Sequence, residues 1–172
     1  SGHSNTAVGS QSLQLNTTGD FNVAVGKDAL RFFIGNNNTA LGADALQGSS
    51  GSSTGTDNTA VGRAALGSDT TGSNNTAVGY NSLLVNTTGA FNTALGSLAL
   101  DSNTTASFNT GLGYKSLEAN TTGASNTAVG LHSLLKNTTA SNNTAVGNNA
   151  LAQNTTGDSL VAVGSGALDA NT

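Results

Sequence analysis

The chain has 172 residues, 8% of them charged, and its formal net charge is −4 with only five basic side chains. This balance excludes the basic surface that nucleic-acid binding requires, and the absence of cysteine excludes a disulfide scaffold, a zinc ribbon and a thiol enzyme. No apolar run is long enough to insert into a membrane. The composition leaves an ordered repeat protein or a low-complexity chain, and the order of the residues decides between them.

A pentapeptide close to Asn-Thr-Ala-Val-Gly recurs along the chain, first at Asn5 and last, in degenerate form, at Leu160. The last six intervals are all 17 residues, a constancy that a disordered chain would not keep. The unit is too short for helix-pair repeats, and its Thr, Val, Asn and Gly favour short strands separated by turns. We therefore predict an all-β solenoid of ten coils of about 17 residues, forming a single repeat domain over residues 1–172.

Each coil is predicted to hold two short strands, one at Thr-Ala-Val and one at the following Ser/Ala-Leu pair. Side chains alternate across a strand, so the second and fourth residues of the pentapeptide share a face. Val replaces Thr at Val23 and Val161, which favours placing this face in the coil interior. One Leu per coil is expected to complete that interior, from Leu13 to Leu168.

The third position of the pentapeptide is always Ala or Gly and is expected to point outward. Exposed strand positions normally carry larger polar side chains, so this smallness suggests that another backbone lies close. Two explanations are open: a parallel homotrimer whose small residues meet at one axis, and a coil too tight for a larger side chain. The first is preferred. It assigns the oligomer interface to Ala7, Ala24, Ala40, Ala60, Ala77, Ala94, Gly111, Ala128, Ala145 and Ala162.

Two corners punctuate the coil. An unbroken Gly column, from Gly9 to Gly164, follows the first strand and predicts a tight corner there, since Gly alone adopts positive φ without penalty. The second corner is Asn-Thr-Thr-Gly, first found at Asn16. Stacked Asn side chains at this corner are expected to hydrogen-bond one another in a ladder along the solenoid.

Two segments break the repeat, an irregular coil at 31–37 and a Gly/Ser-rich loop insertion at 48–57. One interpretation packs an aromatic ring of the first segment beneath the inserted loop. The other makes the first segment a ligand contact, because aromatic side chains on the side of a fibre suit sugars and partner grooves. Packing is preferred. The residues concerned are Arg31, Phe32, Phe33 and Ile34.

Catalytic chemistry is not expected, because the acid, base and nucleophilic groups do not converge. His3 and His132 lie more than seven coils apart. Asp28 and Asp44 follow the Gly column on adjacent coils, and a solvated pair is favoured there because Ca²⁺ requires about six to eight oxygen ligands. We therefore predict no enzyme, no cofactor and no metal.

The repeated pentapeptide resembles the Ser-Val-Ala-Ile-Gly repeat of the YadA-like heads of trimeric autotransporter adhesins, most closely as Asn-Val-Ala-Val-Gly at Asn22 and Leu-Val-Ala-Val-Gly at Leu160. The complete unit is similar to arrays in bacteriophage tail fibres. The resemblance covers Asn5 to Thr172 and implies a left-handed parallel β-roll, with the aliphatic pair inside and the small residue at the trimer centre. The unit is longer than the head repeat, and we expect no neck, coiled coil, anchor or chaperone segment within residues 1–172.

The resemblance implies a structural and adhesive fibre segment, either a surface adhesin head or a tail-fibre shaft, located outside the cell on a cell surface or virion. Both chain ends fall inside a repeat, so we expect a fragment of a longer fibre. Its implied partners are its own copies, in a homotrimer, and a host-surface glycan or protein. A self-assembling extracellular filament is one alternative. The other is an ice-binding solenoid, which needs outward Thr columns, whereas Thr is expected inside here.

Overall fold

The computed structural model describes residues 2–49 and 51–171, so Ser1, Ser50 and Thr172 of the predicted domain lie outside the described residues. Within them, ten three-residue strands form one parallel sheet in chain order. The strands are β1 (Thr6–Val8), β2 (Val23–Val25), β3 (Thr39–Leu41), β4 (Thr59–Val61), β5 (Thr76–Val78), β6 (Thr93–Leu95), β7 (Thr110–Leu112), β8 (Thr127–Val129), β9 (Thr144–Val146) and β10 (Val161–Val163). We number each coil after the strand with which it begins.

Neighbouring strands pair in the register of the repeat, so that Ala77 lies beside Ala94 and Val78 beside Leu95. The same alignment continues through every pair of the sheet. It includes the pair of β3 and β4, whose strands are separated by the 20-residue interval of coil 3. The described residues contain strands, turns and bends but no helix. The predicted all-β solenoid with coils of about 17 residues is therefore confirmed.

The prediction of a second strand in each coil is wrong, because the Ser/Ala-Leu segment forms turns throughout the described residues. In coil 7, Gly113, Lys115 and Leu117 have φ of +134°, +56° and +54°. The amide of Ser116 donates to the carbonyl of Gly113 at 3.3 Å, and that of Asn120 donates to Leu117 at 3.1 Å. Alternating positive φ winds this part of the backbone into consecutive tight turns, which a strand does not allow.

The Leu column fills the coil interior, as predicted, but in a backbone conformation that is unusual for Leu. All ten of these leucines have φ between +46° and +54°, in the left-handed region. That conformation costs about 1–2 kcal/mol for an L-residue, whereas full burial of a Leu side chain contributes about 1.5–3 kcal/mol. Burial therefore outweighs the backbone cost. The fully buried members are Leu30, Leu46, Leu66, Leu83, Leu100, Leu117, Leu134 and Leu151.

The Ala column points into the coil, so its predicted outward orientation is wrong. Ala94 is completely buried within its own chain, while the adjacent Leu95 is 50% exposed. The sheet faces the strip of turns across a narrow interior that the Leu column already fills, which leaves room for a methyl group only. The tight-coil explanation is the one that the structure shows.

The assignment of these positions to an oligomer interface loses its premise, because side chains buried inside their own coil cannot meet a neighbouring chain. Ala7, in register with Ala24, belongs to the same column but is exposed in coil 1. The other nine residues that were predicted to form the interface are all buried: Ala24, Ala40, Ala60, Ala77, Ala94, Gly111, Ala128, Ala145 and Ala162.

The irregular coil packs against the inserted loop. Phe33 is fully buried, and its segment pairs with Ser53 through two backbone hydrogen bonds of 2.8 Å, from Ile34 to Ser53 and from Ser53 to Phe32. Gly48 lies against the Phe33 ring, since a β-carbon at Gly48 would stand 3.0 Å from Cε2 of that ring. The packing interpretation is confirmed for Phe33.

Candidate interaction surface

The outer face of the sheet is formed by the second and fourth residues of each pentapeptide, and we call it the Thr–aliphatic face. Its two columns run parallel to the solenoid axis and contain no charged residue. The first column is Thr6, Val23, Thr39, Thr59, Thr76, Thr93, Thr110, Thr127, Thr144 and Val161. The second column is Val8, Val25, Leu41, Val61, Val78, Leu95, Leu112, Val129, Val146 and Val163.

The second column of this face is an exposed aliphatic stripe. Val8, Leu95 and Val163 are 57%, 50% and 70% exposed, and the remaining members are exposed or half-buried. Parallel strands lie ~4.8 Å apart, so the nine steps from β1 to β10 carry the stripe over about 43 Å. Soluble monomers rarely expose a continuous apolar stripe of this length, which indicates that the face meets a partner.

Aromatic side chains border the Thr–aliphatic face along the edge that precedes each strand. Phe21, Phe91 and Phe108 stand immediately before the strand-leading Asn, and each is more than half exposed. The rings of Phe91 and Phe108 stack, with centroids 5.3 Å apart and planes 4° from parallel. All three have φ near +60°, a conformation that is costly for a bulky residue. The fold thus holds apolar rings exposed beside the face at a conformational cost.

A ladder of buried asparagines fixes the backbone that carries the face. The amide of each strand-leading Asn donates to the side-chain oxygen of its counterpart on the preceding coil, as from Asn109 to Oδ1 of Asn92 at 3.0 Å. The Nδ2 group of Asn109 donates in turn to the carbonyl of Gly123 at 2.9 Å. This ladder was not predicted from the sequence, although Asn recurs at the head of nine pentapeptides.

The predicted ladder at the second corner is confirmed from Asn86 to Asn171, whereas Asn16 bonds to Gly19 of its own corner. Asn103 donates Nδ2–H to Oδ1 of Asn86 at 2.9 Å, and Asn120 donates to Asn103 at 3.0 Å. The same bond recurs between successive coils up to Asn171. We call this set the corner ladder, and its members are Asn86, Asn103, Asn120, Asn137, Asn154 and Asn171.

The residues predicted to contact a ligand at the irregular coil make most of their contacts with their own chain. Phe33 is buried and cannot touch a ligand, while Arg31, Phe32 and Ile34 are half-buried. The Arg31 guanidinium lies 3.3 Å from Asp28, donates Nε–H to Gln14 at 2.9 Å and stacks 4.8 Å from the centre of the Phe32 ring. These residues lie in the segment after β2, so they are not part of the Thr–aliphatic face.

The expected solvated pair of carboxylates does not form, because Asp28 is buried. It pairs with Lys27 at 3.1 Å as well as with Arg31. No three His, Cys, Asp or Glu side chains come together in residues 2–49 and 51–171, and these residues enclose no pocket. Among the described residues, the Thr–aliphatic face is therefore the candidate functional surface.

Comparison with known proteins returned no relative. No protein-family model matches the chain, and no curated protein and no solved structure matches it. The described part of the chain also contains no helix long and apolar enough to cross a membrane.

Proposed function

We propose that this chain is a structural and adhesive fibre segment that assembles as a parallel homotrimer through the Thr–aliphatic face. The observation that carries the proposal is the exposed aliphatic stripe from Val8 to Val163, whose burial against other copies would remove it from water. This interface replaces the one assigned to the Ala column. Around a threefold axis every subunit presents the same face, and parallel copies bring equivalent levels of the stripe together.

Three features of the face suit a second copy of the same chain. It contains no charged residue, so identical faces meet without like-charge repulsion. Its columns keep one register through all ten strands, so parallel copies match at every level. The rings of Phe21, Phe91 and Phe108 extend the apolar surface along one edge, as aromatic side chains do at many interfaces.

The remaining parts of the proposal rest on the resemblance to adhesin heads and tail fibres. They are the left-handed sense of the roll, a location on a cell surface or virion, and a host-surface glycan or protein as the receptor. In this account the stiff stacked coils set the length of the fibre, and the trimer keeps it straight.

The oligomeric state tests the proposal directly. We expect light scattering to give three times the chain mass of 16.8 kDa for the unaltered protein. The double variant Val78→Lys/Leu95→Lys places two ammonium groups per chain on the face, and we expect it to be monomeric yet folded by circular dichroism. Leu15→Lys, at an exposed turn position off the face, should stay trimeric. If the unaltered protein is a monomer by light scattering, the proposed trimer is wrong.

Ice binding is the second candidate, and the outward Thr column now favours it. An ice-binding solenoid needs outward Thr columns, and Thr76 and its equivalents lie on the outer face of the sheet rather than inside, as was expected from the sequence. Thr methyl and hydroxyl groups repeat at ~4.8 Å along this column, as a regular array against ordered water requires. The neighbouring column is uneven, because Leu41, Leu95 and Leu112 are larger than the Val of the other coils. An uneven face fits flat ice less well, so fibre assembly is the preferred function.

A thermal-hysteresis assay distinguishes the second candidate from the first. If ice is the ligand, a monomeric unaltered protein separates the freezing and melting points, and Thr93→Lys abolishes that separation by raising a charged chain above the face. Thr122→Lys, at an exposed position of the second corner and away from the face, is the matched surface control. A monomer without thermal hysteresis would argue against both functions.

A further inference from the structure

One acidic residue, Asp69, extends the corner ladder by one coil, next to Asn86. Asp69-Thr70-Thr71-Gly72 of coil 4 occupies the place of the Asn-Thr-Thr-Gly corner, and Asp69 is fully buried. Its Oδ1 atom accepts a hydrogen bond from Nδ2 of Asn86 at 3.0 Å, as an Asn in this position would. The other carboxylate oxygen, Oδ2, is buried and has no hydrogen-bond partner.

Oδ2 of Asp69 stands where the other corners place an amide nitrogen. A β-carbon built on Gly55 would lie 2.7 Å from Oδ2 of Asp69, just as one built on Gly72 would lie 2.9 Å from Nδ2 of Asn86. In the ladder this nitrogen donates to the carbonyl three residues later, as from Asn86 to Gly89 at 3.0 Å. The corresponding acceptor for Asp69 is the carbonyl of Gly72. The position therefore calls for a hydrogen-bond donor.

An ionised carboxylate does not fit this position, because it accepts hydrogen bonds only. No charged side chain compensates for it, because the groups packed around Asp69 are Gly55, Gly72 and Asn86. A buried charge with one oxygen unpaired and no opposite charge beside it is costly, whereas a carboxylic acid supplies the missing O–H.

We propose that Asp69 is a proton-binding site of the corner ladder, at which a neutral carboxylic acid donates Oδ2–H where the other corners use an Asn amide. Loss of this proton places a negative charge inside the solenoid and weakens the junction between coils 3 and 4. The proposal concerns a single chain and does not depend on the fibre function.

Burial supports this assignment, since it raises the pKa of Asp69 to about 8 against the lowering effect of the hydrogen bonds from Asn86 and Gly72. The ordinary value is 3.8. For a pKa raised on folding, the stabilisation is complete below the unfolded value and is lost as pH rises to the folded value. We therefore expect the contribution of Asp69 to stability to fall between about pH 4 and pH 8.

The direct test follows the Asp69 carboxyl carbon by nuclear magnetic resonance. We expect its titration midpoint near pH 8 in the folded protein. The matched variant Asp57→Asn changes an exposed carboxylate of the preceding coil to the Asn found at Asn37 and Asn74, and it should leave that midpoint in place. A midpoint near pH 4 in the folded protein would overturn the proposal.

Denaturant unfolding of Asp69→Asn gives the second readout. The amide completes the ladder without a proton, so the ratio of the unfolding constants of the parent and this variant should rise up to tenfold per pH unit between about pH 5 and pH 8. The other carboxylates are common to both proteins, including Asp101, whose pKa is raised by burial and by Glu118, and they largely cancel in the ratio. A ratio independent of pH would contradict the assignment.

Discussion

Replacing Gly96 with Ala is expected to cause one of the largest losses of stability of any single substitution in this chain. Gly96 has φ of +138°, a conformation that residues with a side chain rarely adopt. A β-carbon there would stand 2.5 Å from the carbonyl oxygen of Gly113, which is backbone of the next coil and cannot rotate away. Strain of about 1–3 kcal/mol and forced separation of two coils add together, so we expect a loss above about 3 kcal/mol in urea unfolding.

The matched control for this prediction is Gly166→Asn. Gly166 has φ of +65°, no atom within 4 Å of a β-carbon, and the place in its coil that Asn81 and Asn149 occupy in theirs with φ of +52° and +55°. The substitution should therefore change stability by less than about 0.5 kcal/mol. Equal losses for Gly96→Ala and Gly166→Asn would mean that the coils do not stack as closely as described.

The spacing of the sequence determines much of this fold, because a constant period leaves little freedom for the stack. The 17-residue interval, the invariant Leu and the unbroken Gly column predicted the parallel register, the core column and the tight corner. The corner ladder was also predictable, because stacked identical amides can satisfy one another. These features depend on periodicity alone, which the sequence displays directly.

The orientation of the sheet was not predictable by the same means. Alternation shows that Thr93 and Leu95 share a face and that Ala94 faces the other way, but it does not show which face is inside. Hydrophobicity favoured Leu95, whereas the width of the interior selected Ala94. That width depends on the left-handed turns at residues such as Leu117, and positive φ at Leu leaves no signature in a sequence.

The candidate surface and the acidic ladder position were missed for different reasons. The Thr–aliphatic face was hidden by the inverted sheet, although its residues were visible as columns. Asp69 carried a signal, since it replaces Asn at the corner that precedes Thr70. Its burial, which gives the substitution its chemical consequence, needed the stacked coils around it.

The second large effect is expected for Asn120→Ala in the corner ladder. Nδ2 of Asn120 donates to Oδ1 of Asn103 at 3.0 Å, and its Oδ1 accepts from Nδ2 of Asn137 at 2.9 Å. Truncation removes a partner from both neighbours at once, deep in a chain segment where water does not replace it. Each buried group that loses its partner costs about 1–3 kcal/mol, so a total of about 2–5 kcal/mol is expected in denaturant unfolding.

Asn142→Ser is the control for the ladder prediction, because Asn142 is exposed and its column already contains Ser125 and Ser159. It should change stability by less than about 0.5 kcal/mol. The contrast separates the effect of the ladder from the general abundance of Asn in the chain. Replacing one Asn in the corner ladder and one at the surface should give losses that differ by at least about 1.5 kcal/mol. If both were tolerated alike, the thin Leu and Ala core would hold the coils together without the ladder.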